Sequence, residues 1–121
     1  MRRAFAHDAL VEMDPEADDR APGAAVTVEL CGHWDHEPPC PLAPHHTAVE
    51  RAGRDVRLRI LFASEPERED EVRQGIDRAL GTGMLAGPDG VATRWVLRRS
   101  MAGVVTSEER DHAHRLTVDE A

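Results

Sequence analysis

Six side chains of the kind that bind borderline-soft divalent cations crowd into one stretch: Cys31, His33, His36, Cys40, His45 and His46. Four of the seven histidines and both cysteines of the chain lie there. A thiolate at about 2.3 Å and imidazoles at about 2.0 Å in a tetrahedron suit Zn2+, and the mixture is softer than Mg2+ or Ca2+ selects. The best ligand set is His36, Cys40 and His45, with His33 or His46 as the fourth ligand and Cys31 in reserve. Adjacent residues on a strand point to opposite faces, so of His45 and His46 one ligates and the other does not. Asp35 and Glu37 are available to accept an imidazole N–H, or one of them to ligate. No Cys-x-x-Cys knuckle and no His-Glu-x-x-His helix is present, so the spacing matches no diagnostic zinc motif.

Four prolines, Pro38, Pro39, Pro41 and Pro44, stand among the eleven residues from His36 to His46. Proline narrows the conformations of the unbound segment, so less entropy is lost when ligands converge on an ion. Four ligands are readily supplied and no separate nucleophile is evident, which favours a closed structural site over a catalytic one. The expected function is therefore a small zinc-binding protein with a binding or regulatory role through protein contacts, a homodimer being one simple form. One alternative is a metal-dependent hydrolase with three protein ligands, a metal-bound water and Glu37 or Asp35 as general base. Another is a carrier that receives and passes on zinc or copper. His33-Trp34-Asp35-His36 resembles part of the metal motif of metallo-β-lactamase-like hydrolases. The upstream histidine of that motif is missing and 121 residues are too few for its four-layered fold, so no membership follows.

The elements that must position these residues are read from periodicity. Residues 1–23 carry six acids, three arginines and two prolines, which predicts a flexible N-terminal segment. The domain is expected to occupy residues 24–121, with its metal-binding loop at 31–46. Val26, Val28 and Leu30 alternate with Thr27, Glu29 and Cys31 as in a half-buried strand. His45 to Phe62 reads as a hairpin, with Ala52 and Gly53 near its turn. Ser64 and Glu67 form a capping box with Pro66 in the first turn, and a helix follows with Val72, Ile76, Ala79 and Leu80 on one stripe. A strand is expected from Val91 to Arg98, and a second capping box, Thr106 with Glu109, opens a short helix to about Leu116. The predicted fold is α+β: a small antiparallel or mixed sheet of three to four strands, one main helix packed on one face, and a short C-terminal helix.

Composition narrows the partners. The formal net charge is −8, with 23 acidic and 15 basic residues, which argues against a dedicated nucleic-acid binder. No run is long and apolar enough for a bilayer span, and no secretory h-region is seen, so a cytoplasmic protein is expected. Arg2, Arg3 and Phe5 resemble a twin-arginine export signal, but His7 and Asp8 stand where it needs apolar residues. Arg57, Arg59, Arg94 and Arg98 point outward from two predicted strands. They could bind an anion or acidic partner, though cross-strand pairing with Glu29 or Glu50 is the simpler expectation. His112 and His114 diverge by about 200° on a helix and are expected to be solvated.

Overall fold

A computed structural model describes residues 2–31 and 43–118. Five strands, β1 (Arg3–Met13), β2 (His45–Ala52), β3 (Asp55–Ser64), β4 (Met84–Ala86) and β5 (Ala92–Gly103), form one sheet in the order β2-β3-β1-β5-β4. Every neighbouring pair is antiparallel. Helices α1 (Ala21–Cys31) and α2 (Glu69–Gly81) share a core with one face of the sheet, and α3 (Arg110–Val118) meets the other. Because β3 and β5 each run antiparallel to β1, they are parallel to each other with β1 between them. With β4 set aside as an addition at the edge, the order is the split β-α-β-β-α-β arrangement.

This corrects the expected sheet of three to four strands with one main helix on one face. The first reason is β1. The segment expected to be a flexible lead-in is the central strand, with Phe5, His7, Ala9, Val11 and Met13 alternating toward the helices. One small residue, Ala9, and a histidine among those positions weaken the apolar alternation, while Asp8, Glu12 and Asp14 give the segment a polar character. The second reason is α1, which was expected to be a strand. Pro22, Ala25, Val26 and Leu30 are buried at helical spacing, while Val28, which completes the period of two, is only half-buried. Pro22 sits in the first turn, where no intrahelical N–H bond is lost.

The helices lie close because glycine allows it. A Cβ on Gly75 of α2 would come within 3.3 Å of Leu30 Cδ2 of α1. The shared core joins Val26 and Leu30 to Val72, Ile76 and Leu80 over Val11, Val56, Leu58, Ile60 and Phe62. Each such side chain contributes about 1.5–3 kcal/mol on burial. Trp95 closes the end of the core, donating its indole N–H to the Leu80 carbonyl at 2.8 Å. The Phe5 and Phe62 rings meet at 5.4 Å, and the Arg73 guanidinium lies over both.

The hairpin β2–β3 turns at Gly53, whose φ of 64° suits glycine. The Ser64–Glu67 capping box does not form: Ser64 is the buried last residue of β3, donating to the Glu65 carbonyl, and Glu65 takes the cap position before a short 3₁₀ turn. The Thr106–Glu109 capping box does form. β5 runs five residues past Arg98, with an irregularity opposite Leu10 and Val11.

Candidate functional site

His45 and His46 open β2 and point to opposite faces of the sheet. His45 turns toward α1, where Nε2 lies 3.0 Å from Thr27 Oγ1 and Nδ1 lies 3.2 Å from the Ala43 carbonyl oxygen. A carbonyl only accepts, so the ring proton sits on Nδ1 and Nε2 presents its lone pair to the Thr27 hydroxyl. Burial lowers the His45 pKa, opposed by the bond to Ala43, so the ring is kept neutral. His45, Thr27 and Thr47 line a cavity of about 310 Å3 between α1 and β2 together with Arg20, Gly23, Val49 and the adjoining strand residue His46. Thr47 Oγ1 is buried there without a hydrogen-bond partner among the described residues.

His46 faces the other way and meets His112 of α3 at a tilt, with ring centroids 4.6 Å apart. His112, expected to be solvated, is therefore partly covered by another imidazole. His33, His36 and Cys40, with Asp35 and Glu37, lie outside the described residues. Cys31 is the last residue of α1. The stretch that carries the candidate ligands therefore joins a helix to a strand, where a connection between two strands was expected. Among the described residues no group of three or more His, Cys, Asp or Glu is placed to hold a metal ion.

Sequence reasoning missed a second polar cluster. His7 is 2% exposed on β1 and bridges β5 and α2. Arg73 Nη1 lies 3.0 Å from His7 Nδ1, and a guanidinium only donates, so the proton of this ring sits on Nε2. Nε2–H donates to Ser100 Oγ at 2.7 Å, and Ser100 in turn donates to Asp77. Donors thus run in one direction, from guanidinium to carboxylate. His7 cannot take a proton from Ser100 in this arrangement, so the three residues are not a nucleophile with its base. Burial and then the Arg73 charge lower the His7 pKa, with Asp77 opposing. The signal in the sequence would have been a histidine at an inward position of an alternating strand.

A third cluster holds the face opposite the core. Arg59 donates to both oxygens of Asp8 at 2.9 Å, to Glu109 at 2.7 and 3.1 Å, and to the Val104 carbonyl. The Arg59 bonds hold the Glu109 carboxyl down at about 2, and Glu109 raises the Arg59 pKa in return. Gly103 makes room for the cluster, since a Cβ there would stand 2.7 Å from Arg59 Nη1. Arg98 pairs with Glu12. Two of the four outward arginines are thus neutralised by acids, though not by Glu29 or Glu50.

No protein-family model, no curated protein and no solved structure matches this chain, so its sites are read from its own geometry.

Proposed function

We propose that the chain binds a zinc-type divalent cation, with His45 as the ligand from the sheet and His36 and Cys40 as ligands from the connection between α1 and β2. His33 or Cys31 completes the set, and the ion fastens the end of α1 to the start of β2. The observation that supports this reading is the His45 tautomer. A metal-binding imidazole commonly donates its other N–H to a carbonyl or carboxylate, which fixes the ring and leaves one lone pair free. The bond to Ala43 does that here.

Thr27 would not be stranded by an ion at Nε2, because its hydroxyl also reaches the Gly23 carbonyl at 3.2 Å. The Thr47 hydroxyl, buried in the same cavity without a partner among the described residues, supplies a further polar atom beside the site. His46 is left out of the set because its ring lies on the far side of the sheet. The role is structural: a closed site of thiolate and imidazoles adds folding free energy to a core rich in alanine.

Elemental analysis of the purified protein tests the reading. About one zinc per chain is expected in the parent and in His46→Ala, with loss in His45→Ala, His36→Ala and Cys40→Ser. Circular dichroism of each variant guards against loss through unfolding. Zinc retained in both His45→Ala and Cys40→Ser would refute the assignment.

A further inference from the structure

The uncovered part of the sheet face opposite the core is a groove of about 600 Å3. Its floor is two rows of cross-strand neighbours. One row reads Ala48, Arg59, Asp8, Met101 from β2 to β5, and the next reads Glu50, Arg57, Leu10, Arg99. The two rows differ in how their charges are used. In the first, Arg59 is saturated by Asp8, Glu109 and the Val104 carbonyl. In the second, Arg57, Arg99 and Glu50 make no hydrogen bond or ion pair with any described residue.

Arg57 and Arg99 flank Leu10 from the two strands beside β1, so their Cα atoms stand about 10 Å apart, two inter-strand spacings. An arginine side chain is long enough for both guanidiniums to reach a point above Leu10. Between them the surface is apolar, formed by Leu10 and by Met101, which is 47% exposed. Two guanidiniums without a partner among the described residues, flanking an apolar patch within reach of one another, match a carboxylate with a small hydrophobic body: the planar fork binds the two oxygens, and the body covers leucine and methionine.

The charge count selects the ligand further. Two arginines and one glutamate without partners among the described residues leave one positive charge in this row, enough for a monoanion. Arg59 with Asp8 and Glu109 carries one net negative charge beside it, and the chain as a whole stands at −8, so a phosphate dianion or a polyanion is disfavoured. We infer that this groove is a binding site for a small organic monocarboxylate, held by Arg57 and Arg99 over Leu10 and Met101. The site lies on the opposite sheet face from His45 and stands independently of the metal reading.

The test is titration of the full chain with sodium benzoate, followed by amide chemical shifts, with benzamide and inorganic phosphate as comparison probes. Benzoate is expected to shift the amides of Leu10, Arg57, Arg99 and Met101 with millimolar affinity, and neutral benzamide to leave them unmoved. Arg57→Gln and Arg99→Gln should each weaken benzoate by about tenfold, whereas Arg115→Gln, exposed on α3, should not. Both groove arginines are exposed and have no partner among the described residues, so these variants should fold as the parent does. Absent shifts at about 50 mM benzoate, equal response to benzamide, or tighter binding of phosphate would overturn the inference. So would groove shifts that depend on protein concentration alone, which would assign the face to a second copy of the chain.

Discussion

Replacing Glu109 by glutamine removes one charge from the Arg59 cluster and keeps an acceptor for the Thr106 amide, since a capping box accepts either residue. The carboxyl is held at about 2 against an ordinary 4.5. At about 1.4 kcal/mol per pH unit that gap corresponds to roughly 3 kcal/mol before screening. The Glu109 side chain is 23% exposed, and Arg59 keeps Asp8 in the variant, so the expected loss is about 1–2 kcal/mol at pH 7. Glu109→Ala also removes the cap and should cost about 1 kcal/mol more. Urea unfolding of parent and variants measures both differences. The sign follows from the lowered carboxyl: its contribution is complete above the unfolded value of 4.5 and is lost as pH falls from 4.5 to about 2. The stability gap between parent and Glu109→Gln should therefore close across that window. A gap that stays constant down to about pH 2, or no gap at pH 7, would refute the account of Arg59 as a charge-paired hub.

Two further outcomes rest on other parts of the fold. Burial lowers the pKa of both His7 and His45 below 6.5, so their neutral forms stabilise the fold above that value, and stability is lost as pH falls through 6.5 toward the folded values. In metal-free protein the urea midpoint should fall between about pH 7.5 and 5, less steeply in a His7→Gln, His45→Gln double variant, and a rise on acidification would contradict both assignments. Gly103→Ala should cost about 0.5–1 kcal/mol in the same assay, because the new methyl pushes the ends of Asp8 and Arg59 apart, and a neutral result would mean the pair is not held there.

The hairpin β2–β3 and helix α2 were legible in the sequence because strong periodicity, a glycine turn and acids in a first turn all agree locally. β1 was not, because its inward positions include Ala9 and His7, whose burial depends on Arg73 and Ser100 from distant segments. In α1, Val26 and Leu30 satisfy both periods, and only packing against Leu80 and Ile76 decides between them. The divergence of His45 and His46 followed from strand geometry alone. That Arg57 and Arg99 flank Leu10 could not be read, since it requires knowing that β1 inserts between their strands.

That insertion also shapes how the chain reaches its native state. During translation β1 leaves the ribosome well before one of its two partners, β5, which follows some ninety residues later. The hairpin β2–β3 can close early from local contacts, but the centre of the sheet waits for loop closure across nearly the whole sequence, a topology that slows folding. Until β5 arrives, Arg99 is absent from beside Leu10 and the Arg59 cluster lacks Val104 and Glu109, so any ligand of that face can recognise only a chain whose β5 is in place.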